Sequence, residues 1–215
     1  MFSANEFIEK RNKMVENQIH ARGIDDAATL QAMRSVPRHV YVTADQQHMA
    51  YDDFPLPIAC RQTISQPYIV AFMTSLLSLQ SHETVLEIGT GSGYQSAILS
   101  RIAARVYSME RIPPLCLQAK RVNDHLGYDN ITYLIGDGSL GWPGPLHFDA
   151  ILVAAGAPAV PQVLLHQLND HGRMIIPVGD YRHQTLQLWQ RTGDAFDAQE
   201  SIPVVFVPLK GKQAW

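Results

Sequence analysis

The sequence lacks most of the features that mark secreted, membrane-spanning or disordered proteins. Only two cysteines, Cys60 and Cys116, occur in 215 residues, and they form no C-x-x-C pair. Two isolated cysteines cannot build a disulfide framework, so we expect a reduced, cytoplasmic setting. No run approaches the ~18 apolar residues of a transmembrane helix, and the charged N-terminal residues contain no apolar signal segment. We therefore expect no membrane partner.

Charge of either sign is also scarce. Charged residues make up 17% of the chain and apolar residues 46%, a composition that can bury a core and is unlike that of disordered proteins. The 17 basic and 20 acidic residues give a net charge of −3, which argues against a nucleic-acid partner bound through a basic surface. The nine histidines are scattered and form no H-E-x-x-H or H-x-x-x-H pair, so we expect no metal site.

The first 80 residues have helical patterns. Ser3 and Glu6 form a capping-box signature for a helix that Gly23 would end. A second helix is expected from Asp26 to about Ser35, and residues 38–66 show no clear period and are expected to be loop. A third helix should start near Pro67, with Ser65 as its cap.

From residue 84, short apolar runs alternate with helical patterns. The predicted strands are Thr84–Ile88, Arg105–Met109, Ile131–Ile135 and Ala150–Ala154, and the helices between them cover roughly 93–103, 113–126 and 158–168. This alternation is typical of an α/β fold with a mainly parallel sheet and helices on both faces. The tail predicts three more strands that form an antiparallel edge: Arg173–Val178, Thr185–Gln190 and Val204–Val207.

The strongest motif is a glycine loop that follows the first of these strands. Gly89, Gly91 and Gly93 alternate with Thr90 and Ser92, directly before a helical pattern. Open α/β sheets bind ligands at such a turn, although a purely structural turn remains an alternative. The spacing is G-x-G-x-G, and Tyr94 stands where the dinucleotide fingerprint needs its third glycine, so the loop favours S-adenosylmethionine over NAD.

Acidic residues follow the next two strands. Glu110 lies 17 residues beyond Gly93 and could accept hydrogen bonds from ribose hydroxyls, unless it is a solvated acid. Asp137, next to Gly138, could accept from an adenine amino group, unless it only forms an Asp-Gly turn. Glu87, inside the first strand, could bond loop amides or hold the cofactor's amino-acid end. Asp149 is interpreted as structural.

A polar segment precedes the third helix. Gln62, Thr63 and Ser65 lie within six residues of Pro67. Ser65 could simply cap the helix. Alternatively, the Thr63 and Ser65 hydroxyls could join helix amides in binding a substrate carboxylate.

These motifs together resemble the protein-L-isoaspartate (D-aspartate) O-methyltransferase family over about residues 11–209. The resemblance rests on QTISQPY, VLEIGTGSGYQSAIL, YSMER, GDG and FVPL, and on the upstream segments at Met14–Ile19, Val36–Arg38 and Ala50–Tyr51. The glycine loop is shared by many methyltransferases, whereas QTIS and its distance from the loop are more particular to this family. The resemblance implies a Rossmann-like methyltransferase fold with an N-terminal helical extension and an antiparallel C-terminal edge.

The resemblance also implies an activity and residue roles. The family transfers a methyl group from S-adenosylmethionine to the free carboxylate of L-isoaspartyl, and by its name D-aspartyl, residues in damaged proteins. It implies a catalytic segment of Gln62, Thr63 and Ser65, and substrate contacts at Ile64 and Val207. The implied cofactor residues are Glu87, Gly89, Thr90, Gly91, Ser92, Gly93, Glu110, Arg111, Asp137 and Gly138.

Arg61 departs from the family pattern, which often has glycine before Gln62. The backbone there could need a positive φ, the arginine could add charge near the substrate, or it could simply face solvent.

We expect one domain over 1–215, with 1–80 as a helical cap that carries the substrate segment and 81–215 as the cofactor-binding core. A monomer is expected, since small peptide substrates suit an open cleft. The alternatives are a related carboxyl methyltransferase for another peptide or small acid, an NAD oxidoreductase, and a non-catalytic module that binds S-adenosylmethionine.

Overall fold

The computed structural model describes residues 3–215 and begins with a helical layer. Helix α1 spans Ala4–Met14 and continues through a π-helical turn, Val15–Ile19, and a 3-10 turn, His20–Arg22. Ser3 and Glu6 form the predicted capping box, and Gly23 ends the segment in the left-handed region at φ 88°. Helix α2 spans Ala27–Ser35, with the Asp26 side chain accepting a hydrogen bond from the Thr29 amide.

The stretch predicted as loop contains short elements. Two 3-10 turns, Arg38–Tyr41 and Ala44–Met49, precede a small antiparallel hairpin. Its strands are β1, Leu56–Pro57, and β2, Thr63–Ile64, joined through a turn at Ala59–Arg61. This hairpin places the polar segment before helix α3, which spans Pro67–Leu76.

The cap of α3 is Gln66 rather than Ser65, so the predicted Ser65 cap was wrong. Pro67 occupies the first helical position and thereby makes Gln66 the flanking residue. The Ser65 side chain makes no cap hydrogen bond, which leaves its hydroxyl for another use.

A seven-stranded sheet follows, in the order β5-β4-β3-β6-β7-β8-β9. The strands are β3 Thr84–Ile88, β4 Arg105–Glu110, β5 Ile131–Ile135, β6 Phe148–Val153, β7 Leu168–Gly179, β8 Gln184–Thr192 and β9 Ala195–Val204. Strands β3 to β7 pair in parallel, and β8 and β9 add an antiparallel edge. The connecting helices are α4 Tyr94–Ser100, α5 Pro113–His125 and α6 Gln162–His166. The predicted fold class is confirmed.

The last strand lies elsewhere than predicted. We expected it at Val204–Val207, but β9 is Ala195–Val204 and pairs with β8 as a hairpin. Its side chains are mostly exposed because it forms the outer edge of the sheet, so it lacks the apolar pattern that reveals buried strands. The apolar residues that follow Val204 leave the sheet, and Pro208 bridges to Gly156 at the end of β6.

Apolar side chains cover both faces of the sheet. One cluster joins the N-terminal helices to the sheet and includes Met14, Ile19, Val85 and Leu152, all nearly inaccessible to solvent. The other cluster packs α6 and the chain end against the opposite face. Asp149 is structural, as expected, since its carboxylate accepts from the Thr84 amide and the Asn169 side chain. Within residues 3–215, none of the helices is both long and apolar enough to cross a membrane.

Candidate active site

A cavity of about 470 Å³ opens where the parallel strands end at their carboxyl side. Its wall combines the predicted substrate segment, the glycine loop, the end of β4 and the apolar tail. Of the predicted site residues, twelve line it: Gln62, Thr63, Ile64, Ser65, Gly89, Thr90, Gly91, Ser92, Glu110, Arg111, Gly138 and Val207. Three others, Glu87, Gly93 and Asp137, do not line it.

The glycine loop runs from the end of β3 into α4. Its three glycines all have positive φ, a conformation that side chains with a Cβ rarely adopt. At Gly93 a Cβ would also lie only 2.8 Å from the Cβ of Ala119, so α5 can pack closely here only against glycine. Gly93 therefore shapes the loop from behind, while the backbone of Gly89–Ser92 faces the cavity.

Glu110, the last residue of β4, fixes the backbone of the glycine loop by hydrogen bonds. Its two carboxylate oxygens accept hydrogen bonds from the backbone N–H groups of Gly91 and Ile112, each at 2.9 Å. The side chain is only 6% exposed and lines the cavity. A carboxylate has about four acceptor positions, so two remain for vicinal hydroxyls of a ribose.

Glu87 lies beneath the loop and is completely buried. Its Oε2 accepts hydrogen bonds from the hydroxyls of Ser96 and Ser108, and Oε1 has no partner among residues 3–215. Burial raises the pKa of Glu87 to about 8, although the two serine hydrogen bonds act in the opposite direction. The Ser108 hydroxyl also bonds Thr90 at 2.6 Å. Glu87 therefore supports the loop through hydroxyls, and the loop amide contact belongs to Glu110.

Asp137 and Gly138 behave differently from each other. The Asp137 carboxylate accepts from the Ser139 amide and hydroxyl and, at 2.8 Å, from the amide of Lys212 near the chain end. Although partial burial opposes it, these hydrogen bonds lower the pKa of Asp137. Gly138 lines the cavity directly, and a Cβ there would overlap the Ile88 side chain. Asp137 thus fixes the turn that presents Gly138.

The hairpin of β1 and β2 brings the polar segment to the opposite wall. The hydroxyls of Thr63 and Ser65 form no hydrogen bond with any residue in the described range and both residues line the cavity. Ile64 between them is 3% exposed, packs with the apolar core and also contributes to the cavity wall. Gln62 turns its amide group back onto the carbonyls of Cys60 and Arg61, at 3.2 Å each.

Arg61 stands in a left-handed conformation, as the family's frequent glycine suggested. Cys60 and Arg61 both have φ of 58°. This left-handed conformation costs a residue with a Cβ about 1–2 kcal/mol. The Arg61 side chain is exposed at the cavity rim, where Arg111 and Lys210 also contribute positive charge.

Two residues that the sequence did not single out position Val207. Gly156 donates to the Val207 carbonyl at 2.9 Å and accepts from the Leu209 amide at 2.7 Å. Gln184 is 3% exposed, accepts from the Phe206 amide at 2.8 Å and donates to the Phe206 carbonyl at 3.3 Å. The Val207 N–H donates to no residue of the described range, so it is free to bind a ligand. The sequence carries no local signal for this role, because the partners of Gln184 and Gly156 lie far along the chain.

These residues fit S-adenosylmethionine. The acceptor pair on Glu110 suits a ribose, and Gly138 packs against Ile88 so closely that only glycine fits at this point of the cavity wall.

Comparison with known proteins decides the family. The family model for protein-L-isoaspartate (D-aspartate) O-methyltransferase matches residues 9–214. The chain belongs to this family. The resemblance seen in the sequence motifs is therefore confirmed, and with it the methyltransferase class and S-adenosylmethionine as cofactor.

Curated relatives match along nearly their whole length. The chain is 50% identical over 209 residues to protein-L-isoaspartate O-methyltransferase 1 of Syntrophobacter fumaroxidans, covering 97% of this chain and 98% of the relative. It is 52% identical over 206 residues to the protein-L-isoaspartate O-methyltransferase of Trichlorobacter lovleyi, covering 95% of each.

Solved structures of the family share the fold. A protein-L-isoaspartate O-methyltransferase superposes with a TM-score of 0.86 at 27% identity, over 95% of this chain and 67% of that chain. A Plasmodium falciparum protein-L-isoaspartate O-methyltransferase in complex with S-adenosyl-L-homocysteine superposes with a TM-score of 0.81 at 25% identity, over 93% and 98%.

Proposed function

We propose that this chain methylates the free carboxylate of L-isoaspartyl residues in damaged proteins and peptides, with Ser65 as the residue that binds that carboxylate. The observation that carries the proposal is the meeting of two surfaces in one cavity. The unpaired hydroxyls of Thr63 and Ser65 form one wall, and the glycine loop with Glu110 forms the other.

The methyl transfer requires no proton transfer by the protein. A substrate carboxylate has a pKa near ~4, so it is ionised at neutral pH and no general base is needed. S-adenosylmethionine supplies the methyl group on a positively charged sulfur, which is a good leaving group. The chain contributes orientation and exclusion of water, and orientation can be worth up to ~7–11 kcal/mol in favourable cases.

Each segment then has a distinct task. Ser65 and Thr63 donate hydrogen bonds to the substrate carboxylate and direct one oxygen at the cofactor. Gln62 braces the strained turn before them through its bonds to the Cys60 and Arg61 carbonyls. The cofactor would be held by the backbone of Gly89–Ser92, by Glu110 and Arg111, and by Gly138.

The peptide chain of the substrate needs its own contacts. The free Val207 N–H is a backbone donor at the cavity wall, and Ile64 adds apolar surface nearby. An isoaspartyl residue carries its α-carboxylate on a short branch while the chain continues through the β-carbon. Backbone contacts at Val207 would place that branch towards Ser65.

The test is methyl transfer from labelled S-adenosylmethionine to a pair of peptides. The two peptides differ only in having isoaspartate or normal aspartate at one position. We expect labelling of the isoaspartyl peptide and almost none of the aspartyl peptide. Equal labelling of both, or labelling of neither while the cofactor still binds, would contradict the proposed substrate. A third peptide with D-aspartate measures the extension that the family name includes.

A further inference from the structure

Arg38 is a buried cation whose contacts lead directly to the candidate active site. It lies at the start of the 3-10 turn Arg38–Tyr41 and is 0% exposed. Its Nε donates to the Ala50 carbonyl and its Nη2 donates to the Ser65 carbonyl, both at 2.7 Å. The guanidinium also lies over the Tyr94 ring, 4.9 Å from its centroid, and Tyr94 lines the cavity.

This guanidinium has no anionic partner within residues 3–215. The ion pairs found there all involve other side chains, and Nη1 has no hydrogen-bond partner in the same range. Burying an unpaired charge is costly, and burial lowers the pKa of Arg38 to about 10 although Tyr94 and Tyr51 act in the opposite direction, which still leaves Arg38 cationic at neutral pH. An anion bound nearby would stabilise such a buried positive charge by electrostatic attraction.

The Ser65 hydroxyl, which is proposed to bind the substrate carboxylate, lies close to Arg38. Because Arg38 holds the Ser65 carbonyl, covalent geometry puts the Ser65 hydroxyl within about 8 Å of Nη2. A carboxylate that accepts a hydrogen bond from this hydroxyl would lie within about 11 Å of Nη2, and opposite charges still attract over that distance in the low dielectric of a protein. Arg38 also fixes the backbone of Ser65, which lies four residues beyond Arg61 and its strained backbone conformation.

We propose that Arg38 is a positioning residue that orients Ser65 through its carbonyl and gives the cavity its preference for a carboxylate over a neutral carboxamide. The inference rests on the proposed function. It assigns substrate recognition to a side chain that does not touch the cavity itself. Arg38 would thus help select the ionised branch of an isoaspartyl residue.

The test measures peptide binding to the enzyme saturated with S-adenosyl-L-homocysteine. One peptide carries isoaspartate, and its partner carries isoasparagine, in which the carboxylate is replaced by a carboxamide. For the unchanged protein we expect the carboxylate peptide to bind at least about tenfold more tightly. In Arg38→Met this ratio should fall to about twofold or less, while the affinity for S-adenosyl-L-homocysteine stays within about twofold.

Arg173→Met is the matched control. Arg173 also donates to a buried carbonyl, that of Leu77, but it is paired with Glu83 and lies away from the cavity. Its loss should lower the unfolding temperature without changing the peptide ratio. A folded Arg38→Met variant with the original ratio, or one that loses both peptides and the cofactor product equally, would overturn the proposal.

Arg38→Lys separates charge from geometry and serves if Arg38→Met does not fold. Lysine keeps the positive charge but cannot hold two carbonyls in the planar arrangement of a guanidinium. We expect the peptide ratio to stay within about threefold and kcat to fall at least about fivefold. An unchanged kcat, or a lost ratio with the charge intact, would contradict the assignment. Failure of the unchanged protein to methylate isoaspartyl peptide would instead refute the proposed function.

Discussion

The Glu110 carboxylate accepts a 2.9 Å hydrogen bond from the backbone N–H of Gly91, across the gap between two neighbouring strand ends. The second oxygen of Glu110 accepts from the Ile112 amide at the same distance. The residue that is expected to bind the ribose therefore also shapes the glycine loop. Loop geometry and cofactor affinity should change together when it is replaced.

Glu110→Gln is expected to weaken cofactor binding. An amide group would place hydrogens against one of the two backbone N–H donors, and a bond to a charged acceptor contributes about 1.5–3 kcal/mol. The dissociation constant for S-adenosyl-L-homocysteine, measured by calorimetry, should rise at least about tenfold. Glu200→Gln on the exposed edge strand is the control and should leave it unchanged. Unchanged affinity in Glu110→Gln would remove this residue from the cofactor site.

Gln184→Ala should raise KM for the peptide with little effect on the cofactor. Gln184 holds the amide and carbonyl of Phe206, so its loss frees the segment that presents the Val207 N–H. We expect a rise in peptide KM of about fivefold or more, since both hydrogen bonds to Phe206 are lost together with the one that Gln184 donates to the Asp180 carbonyl. Gln190→Ala, exposed on the same strand, is the control. Equal losses of peptide and cofactor affinity would show that Gln184 supports the fold only.

Arg61→Gly is expected to stabilise the protein. Arg61 has φ of 58°, which glycine adopts without strain, although glycine gains more entropy on unfolding. The net gain should be about 0.5–1 kcal/mol in the free energy of unfolding, measured with urea. Arg105→Gly, in an ordinary strand conformation, should instead destabilise by a similar amount. A loss of stability in Arg61→Gly would mean that the side chain makes favourable contacts that outweigh the strain.

Glu87→Gln should change how stability depends on pH. The folded protein holds the Glu87 pKa at about 8, above the ordinary glutamate value of 4.5, so folding favours the protonated form. Its contribution to stability is complete below pH 4.5 and is lost as pH rises towards 8. Glutamine imitates the protonated form, so the stability difference between Glu87→Gln and the unchanged protein should grow from pH 5 to pH 8, to the order of a few kcal/mol. A difference that does not change with pH would contradict a neutral Glu87.

Local patterns predicted much of this structure. The limits of β3 and β5 agree with the apolar runs that predicted them. Strand β3 is buried inside the sheet, where parallel strands carry mostly apolar residues, and β5 at the sheet edge is apolar although only partly covered. The glycine loop and Glu110 were found because they follow strands directly, and strand ends converge in this fold. The parallel part of the sheet and its ligand-binding edge can thus be predicted from short stretches of sequence.

The features that were missed depend on residues far apart in the chain. Arg38 and Ser65 are 27 positions apart in the chain, and Gln184 and Phe206 are 22 apart. A local hydrophobic period cannot predict contacts between residues so far apart. The strand β9 was not predicted at its observed position because its mostly exposed side chains have no apolar alternation. The Asp137 contact with the Lys212 amide spans 75 positions and likewise emerges only when the tail folds back.

Ser65 is proposed to bind the substrate carboxylate, and Ser65→Ala removes the hydroxyl that would make this contact. The measurement is kcat for an isoaspartyl peptide, together with the affinity for S-adenosyl-L-homocysteine and the unfolding temperature, with Ser201→Ala on the exposed edge strand as control. Because Gln66 rather than Ser65 flanks α3, the change should leave stability and cofactor affinity nearly intact. We expect kcat to fall about tenfold or more, as one hydrogen bond to a charged group is lost. An unchanged kcat, or equal losses of turnover, cofactor affinity and stability, would contradict the account.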